Sequence, residues 1–308
     1  MTATTILVTG AAGGRQGSTG YHVTRSLSEL GLPVRALVHR LDERSAELRE
    51  LGVEVVEGDL LDRRSVREAM TGIQRSYFVY PVQDGLLDAT AIFAEAARLT
   101  GSELVVNLSQ LLQRSGDQPT PHQTRHWLSE QVFDWADVGA VHLNATVFFE
   151  NLGALAGPSL TRAGALALPW GPETTTIPMV SAEDVARVAV GVLTGPARPN
   201  GTVVPLIGDA VTNTQIVEAL SEIVGRPVPY REISDEQWVQ NVAGAGINNT
   251  AVVHLVHLWR HIRTRPADFQ ASYTVTEGIE RIGGRAPKSL RQFLSEQQDT
   301  FSPASQPG

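Results

Sequence analysis

Thr5-Ile6-Leu7-Val8-Thr9-Gly10-Ala11-Ala12-Gly13-Gly14-Arg15-Gln16-Gly17 is the stretch whose reading decides the fold. Residues 5–9 form a short apolar run between two threonines, as expected of a strand covered on both faces. Glycines follow, and a helical pattern then runs to Leu30. A glycine cluster between a strand and a helix is the context in which such a motif carries meaning. Glycine permits the tight turn, lets backbone N–H groups approach a pyrophosphate and lets the helix close on the sheet. The helix N-terminus adds partial positive charge toward the anion. Gly10, Gly14, Arg15, Gln16 and Gly17 are therefore candidate cofactor-binding residues.

Downstream the alternation repeats. Strands are expected at Val34–Val38, Val53–Val56, Tyr77–Tyr80, Leu104–Leu108 and Val141–Val147. Between them lie helical patterns at Ser45–Leu51, Ser65–Met70, Ala89–Leu99 and His126–Asp137. Continuously apolar strands separated by helices indicate parallel βαβ units. The expected fold class is α/β, a doubly wound parallel Rossmann sheet that binds its ligand at the carboxyl ends of the strands. After about residue 150 the rhythm changes. Gly153–Pro172 reads as loops and short elements, and helices are expected at 181–193, 212–224, 235–242, 250–263, 275–281 and 289–296, with a strand at 202–207. The expected domains are a dinucleotide-binding domain over 1–152 and a smaller, interleaved, mostly helical C-terminal substrate lobe over 153–300. Residues 178–208 are expected to return to the first domain, and 301–308 to form a disordered tail.

Composition narrows the classes. Of 308 residues, 42% are hydrophobic and 19% charged, which suits a packed globular protein. A net charge of -8 argues against a nucleic-acid partner, because phosphate neutralisation needs a basic face. Cysteine is absent, which removes disulfides, thiolate nucleophiles and cysteine zinc sites. No signal-peptide pattern opens the chain and no run of about 18 apolar residues occurs, so a cytoplasmic protein with no membrane partner is expected. The sequence does not fix an oligomeric state.

The choice of dinucleotide follows from the second strand. A site for NAD carries an acidic residue at its tip, bonded to the ribose 2′-hydroxyl. Here the strand ends Leu37-Val38-His39-Arg40, with no acid at that point. Arg40 suits a 2′-phosphate, and Arg15 is a second candidate for it. Solvated surface arginines are the plain alternative. NADP(H) is the expected cofactor.

These residues, with others downstream, resemble the NmrA-like branch of the atypical short-chain dehydrogenases. The resemblance rests on Val8-Thr9-Gly10 with Gly14-Arg15-Gln16-Gly17, on Val34-Arg35-Ala36-Leu37-Val38 and on Glu57-Gly58-Asp59-Leu60. Phe148-Phe149-Glu150-Asn151-Leu152, Ser181-Ala182-Glu183-Asp184-Val185-Ala186 and Gly284-Arg285-Ala286-Pro287 follow in the family's order. The opening motif is one residue longer than the family's. The resemblance implies an NADP(H)-dependent reductase of quinones or dyes, although the family also holds non-catalytic redox sensors and a transcriptional co-regulator. It further implies that Asp59 and Leu60 flank the adenine, and that Tyr80 and Ser109 lie near the ribose and nicotinamide.

The catalytic signal departs from the family. Short-chain dehydrogenases use Tyr-x-x-x-Lys, in which the lysine lowers the tyrosine pKa and binds ribose. Lys288 is the only lysine here and has Gly284 four residues before it, so that motif is absent. Family members often keep a lysine four residues before a glutamate; before Glu130 that place is taken by His126, and the tyrosine-equivalent place by His122. Three readings stay open. The pair could replace the dyad as proton donors. His126 could bind cofactor ribose only. Or Pro119-Thr120-Pro121 could keep His122 in a surface loop. His254, His257 and His261 recur on one helix face, but Leu255, Leu258 and Trp259 read as packing, and no metal is expected. Phe148, Phe149, Asn151, Trp170 and Met179 are the candidate substrate-pocket residues.

The expected function is NADPH-dependent reduction of a hydrophobic, aromatic or quinonoid small molecule by direct hydride transfer without a Tyr-Lys dyad. Hydride transfer to such an acceptor needs little protein acid, since water can supply the proton. The alternatives are an NADP(H) sensor without turnover and a non-redox tailoring enzyme performing isomerisation, cyclisation or dehydration.

Overall fold

The computed structural model describes residues 5–13, 18–111 and 120–298. The first half contains β1 (Ile6–Thr9), α1 (Thr19–Glu29), β2 (Val34–Val38), α2 (Glu43–Glu50), β3 (Glu54–Glu57) and α3 (Arg63–Ala69). It continues with β4 (Arg75–Phe78), α4 (Leu86–Thr100), β5 (Leu104–Gln110), α5 (Pro121–Ala136) and β6 (Val141–Ala145). Next come β7 (Val147–Phe148), α6 (Asn151–Ala163), β8 (Leu166–Leu168), β9 (Thr176–Val180), α7 (Ala182–Thr194) and β10 (Thr202–Leu206). The remainder comprises β11 (Asp209–Thr212), α8 (Asn213–Val224), β12 (Tyr230–Glu232), α9 (Asp235–Val242) and α10 (Asn249–Arg263). Three short helices close it: α11 (Ala267–Gln270), α12 (Glu277–Gly283) and α13 (Leu290–Glu296).

The chain divides into two units. The first comprises 1–145, 182–206 and 277–286; the second comprises 146–181, 207–276 and 287–308. The first unit thus recovers two later segments, 182–206 and 277–286, where a single return over 178–208 was expected. Strand β9 stays with the second unit.

In the first unit seven strands form one parallel sheet, ordered β10-β6-β5-β4-β1-β2-β3. This is the α/β, doubly wound architecture. From β1 the chain winds outward through β2 and β3, then restarts at β4 and winds the other way. Right-handed crossovers in opposite directions put α1 and α4 on opposite faces. Helices α3, α4 and α5 pack together, as do α1, α7 and α12. Phe78, Phe93 and Phe133 knit the α4–α5 layer to the sheet, with ring centroids 4.9 to 6.3 Å apart. Arg187 anchors the last segment to α7 by donating to the carbonyl oxygens of Gly283, Arg285 and Ala286.

The second unit holds two small sheets, β11-β9-β7 and β12-β8. Its core is aromatic: Trp170 lies against Trp259 at 5.1 Å and Phe149 stacks on Phe293 at 5.4 Å. Gly153–Pro172, expected as loops and short elements, holds most of the 13-residue α6 as well as the short β8. Gly153, Gly157 and Pro158 weaken the helical signal, while burial of Leu152, Leu155 and Leu160 on one side holds the helix in place. The expected strand 141–147 stops at Ala145, and β7 pairs with β9 instead. Residues 301–308 lie outside the described residues. Among the described residues no helix is long and apolar enough to cross a membrane.

Truncating Phe133 tests the packing account. It is wholly buried between Phe78 and Phe93, and Phe133→Ala is expected to destabilise the protein by about 3–5 kcal/mol. The midpoint and slope of urea denaturation measure this; a loss under about 1 kcal/mol would contradict a tightly packed α4–α5 layer.

Candidate functional site

The order of strands reverses between β1 and β4, which are neighbours with their following helices on opposite faces. This is a topological switch point, where a doubly wound sheet leaves a crevice beyond its strand ends. Thr9 clamps it: its Oγ1 donates to the Val79 carbonyl at 3.0 Å and accepts from the Val79 N–H at 2.8 Å. Gly10 then turns at φ +65°, and a Cβ there would lie 2.6 Å from Val79 Cγ1. The turn closes with Gly13 N–H donating to the Gly10 carbonyl at 3.2 Å. Gly20 brings α1 onto β1, since a Cβ would stand 2.5 Å from the carbonyl oxygens of both Thr9 and Gly10. Tyr77, wholly buried, donates from its hydroxyl to Thr19 Oγ1 at 2.9 Å and holds the first residue of α1 on β4. Burial pushes the Tyr77 phenol well above its usual range, so it stays a donor at any working pH. No acidic residue occupies the first turn of α1, so no side chain of that turn offsets its positive end. Gly14, Arg15, Gln16 and Gly17 lie outside the described residues.

Along the same edge, β2 and β3 present the adenosine-side candidates. Arg40 is exposed just past the tip of β2. Two residues beyond it, Asp42 caps α2 in a capping box with Ser45, and Arg44 donates to Asp42. Sequence reasoning missed Arg44; the spacing Asp42-Glu43-Arg44-Ser45 is a signal that could have located this cap. Asp59 follows β3 and is taken up by its own loop: its N–H donates to Ser65 Oγ, and its Oδ1 accepts from Leu61 N–H, both at 2.9 Å. Leu60 packs half-buried against the core. The Tyr80 hydroxyl, beyond β4, donates to the Asp84 carbonyl at 2.9 Å and accepts from Gln83 Nε2 at 3.3 Å.

Ser109 and α5 complete the edge. Ser109 Oγ donates to Glu130 Oε1 at 2.6 Å, both residues buried. Thr120 caps α5 in a box with Gln123, and Pro121 takes its first position. The helix therefore begins five residues before the expected start, and His122 lies in its first turn rather than in a surface loop. His122 and His126 are both buried, with ring centroids 4.8 Å apart at 78°. His126 Nδ1 has no hydrogen-bond partner among the described residues. Burial, helped by the nearby Arg125 charge, pushes His122 down to about 4. Burial, helped by His122, pushes His126 down to about 3. Both imidazoles are neutral at physiological pH, and neither supplies the cation that a lysine would.

In the second unit, Phe149, Trp170 and Met179 are wholly buried members of its core, whereas Phe148 and Asn151 are half-buried at β7 and the start of α6. The apolar candidates thus do packing work within that unit. Trp170 Nε1 is buried without a hydrogen-bond partner among the described residues. No cluster of three metal-ligating side chains occurs among the described residues; His254 is buried in α10, and His261 contacts Arg265 at 2.6 Å.

A seven-stranded parallel sheet with a glycine turn at its switch point defines a Rossmann-type dinucleotide-binding fold. Residues 2–113 and 122–290 match the NmrA-like family, and the chain belongs to that family. It is 28% identical to an NAD(P)H azoreductase of Xenophilus azovorans, over 94% of this chain and 98% of that enzyme. A (4-alkanoyl-5-oxo-2,5-dihydrofuran-3-yl)methyl phosphate reductase of Streptomyces griseus is 27% identical over 97% and 99%. Among solved structures, the Citrobacter sp. triphenylmethane reductase complexed with NADP(H) superposes with a TM-score of 0.80, at 21% identity, over 96% of this chain and 99% of that one. At that identity the likeness is one of fold.

The neutral histidines predict a pH dependence of stability. Unfolded, both rings titrate near 6.5; folded, they titrate near 4 and 3. Below pH 6.5 the unfolded chain binds protons that the folded one does not, so stability falls as pH drops from about 6.5 toward 3. The melting temperature of His126→Asn is expected to decline less steeply over pH 7 to 5 than that of the parent. Equal slopes would contradict a neutral, buried His126.

Proposed function

We propose that this protein is an NADP(H)-dependent oxidoreductase that reduces a hydrophobic, aromatic or quinonoid small molecule by direct hydride transfer, without a Tyr-Lys dyad. The observation that carries the reading is the switch-point glycine turn beside a β2 tip that bears Arg40 and no acidic residue. The NAD(P)H azoreductase and, among structures of the same fold, the triphenylmethane reductase support the substrate class by their names.

The residues fit the cofactor. Gly10 and Gly20 let the turn and α1 close on the sheet where any side chain would clash with Val79 or with the Thr9 and Gly10 carbonyl oxygens, and a first turn of α1 free of acidic residues suits a pyrophosphate. Gly14, Arg15, Gln16 and Gly17 continue that turn in sequence. Arg40 takes the 2′-phosphate, a pairing for which its planar fork is suited. Asp59 and Leu60 border the adenine; Tyr80 and Ser109 stand toward the ribose and nicotinamide. When bound, NADPH supplies the hydride.

His126 acts as a neutral hydrogen-bonding group toward a ribose hydroxyl, and His122 packs against its ring by edge contact. With both rings neutral, neither is the proton donor. The proton on the reduced product comes from water, which suffices for an acceptor whose reduced form is a stable anion. Phe148 and Asn151, half-buried in the second unit, border the substrate, while Phe149, Trp170 and Met179 support them from the core.

Titration with NADPH and NADH, followed by nicotinamide fluorescence, tests the cofactor; a panel of quinones and azo dyes, followed at the nicotinamide absorbance band, tests turnover. NADPH is expected to bind more tightly than NADH, and Arg40→Ala to weaken NADPH roughly ten- to a hundredfold with little effect on NADH. Binding without oxidation by any acceptor would instead favour a sensor. Substrate conversion without NADPH consumption would favour a non-redox enzyme.

A further inference from the structure

Asn200-Gly201 is the only Asn-Gly step in the chain, and it leads into β10, the edge strand of the seven-stranded sheet. The turn runs from Pro199 to Thr202 and is closed by the Thr202 N–H, which donates to the Pro199 carbonyl at 3.2 Å. Gly201 takes its third position at φ +78°, a conformation that favours glycine. A Cβ there would lie 3.2 Å from Asp134 Oδ1, so the turn sits close on the end of α5. The groups that carry the chemistry of this step are all engaged. Asn200 Oδ1 accepts from the Ala140 N–H at 2.8 Å, and its Nδ2 donates to the Asp134 carbonyl at 3.0 Å. The Gly201 N–H donates to the Ala140 carbonyl at 2.9 Å, and Thr202 then opens the pairing of β10 with β6 opposite Val141.

An asparagine followed by glycine is open to attack by its own backbone, because glycine has no side chain to hinder ring closure. The Gly201 nitrogen attacks Asn200 Cγ: the N–Cγ bond forms, the Cγ–Nδ2 bond breaks, and ammonia leaves with the proton of the Gly201 N–H. Water then opens the five-membered imide at either carbonyl and gives aspartate or isoaspartate at position 200. No oxidant or cofactor takes part. In the closed fold both partners of the attack are held. The nucleophilic N–H is bonded to Ala140, and the amide it would attack is pinned between Ala140 and Asp134. Asn200 is itself exposed, so water is at hand once the turn opens.

We propose that Asn200-Gly201 is a deamidation site gated by the opening of β10, and that its conversion prevents the turn from closing again. Aspartate lacks the amide N–H groups and sets an oxygen against the Asp134 carbonyl oxygen. It also adds a charge to a turn that already faces the Asp134 carboxylate. Isoaspartate inserts an extra backbone carbon, which shifts the Gly201 N–H away from Ala140 and Thr202 out of register with Val141. The disturbance reaches further inward. Asp134 Oδ1 lies 2.9 Å from Nε2 of the wholly buried His142, whose Nδ1 lies 3.1 Å from Asn107 Nδ2 on β5. An excursion of the edge strand that is reversible in the parent chain thus becomes permanent.

The test holds the full-length protein in mildly alkaline buffer, with and without denaturing urea. The peptide containing position 200 is followed by mass spectrometry, and isoaspartate is read by enzymatic methylation. In urea the peptide is expected to gain the mass of deamidation. In the folded protein the conversion should be slower by roughly tenfold or more, since only opened molecules react. Val204→Ala, which removes a buried side chain from β10, should speed conversion of the folded protein and leave the rate in urea unchanged. Asn200→Asp should unfold at a lower urea concentration than the parent, and Asn200→Ser should show no conversion at this position. Equal rates with and without urea overturn the gating by β10, as does a Val204→Ala rate equal to the parent's. No conversion in urea overturns the site, and an Asn200→Asp variant as stable as the parent overturns the consequence assigned to it.

Discussion

At Gly20 there is no room for a methyl group. The first turn of α1 meets the end of β1 so closely that a Cβ would sit 2.5 Å from two backbone carbonyl oxygens. That approach sets the direction of α1, and with it the point at which the positive end of the helix leaves the sheet. Thr9 and Tyr77 secure the same junction from the β4 side, one through the Val79 backbone and the other through Thr19. The crevice at the strand reversal is thus framed by buried backbone geometry and by two polar side chains with their partners fully paired.

Around this junction the sequence was most legible where chemistry is local. The strand–glycine–helix order at residues 5–30 and the alternation through Ala145 are periodic signals, and each corresponds to an element of the parallel sheet. Arg40 stood out as a candidate because it follows a strand with a clear end. Less was visible wherever tertiary burial overrides propensity. Gly153, Gly157 and Pro158 conceal α6, whose stability comes from the leucines it buries. The pairing of β7 with β9 joins residues about thirty positions apart and leaves no local mark. Phe149, Trp170 and Met179 read as apolar, but sequence does not say whether an apolar side chain faces a pocket or a core.

Helix α5 shows both limits at one place. Pro119-Thr120-Pro121 left a surface loop open as one reading, yet Thr120 and Gln123 form a capping box and Pro121 fits the first helical position. Starting there, the helix presents His122, His126 and Glu130 at four-residue intervals, all buried, with Ser129 in the same layer bonded to Thr90 at 2.8 Å. A correct start would have predicted the shared face. It would not have predicted the burial, because that depends on β5, which supplies Ser109, and on α4, which supplies Thr90.

That polar row is hard to explain by stability alone. A helix packed on a sheet gains most from apolar side chains on its inner face, as Phe133 illustrates one turn further on. Two imidazoles in the same layer instead weaken the fold whenever the pH falls below their unfolded range. Groups with displaced pKa values cluster at functional sites, and these two stand on the helix that follows β5 in a Rossmann sheet. Their neutrality narrows the kind of function: a neutral ring can orient a hydroxyl by hydrogen bonding, but it cannot stabilise a developing alkoxide as an ammonium would. Chemistry that generates a strongly basic oxygen is therefore poorly served here. Hydride transfer to an acceptor that delocalises the incoming charge makes no such demand, and on this ground the loss of lysine and the proposed reaction form one argument.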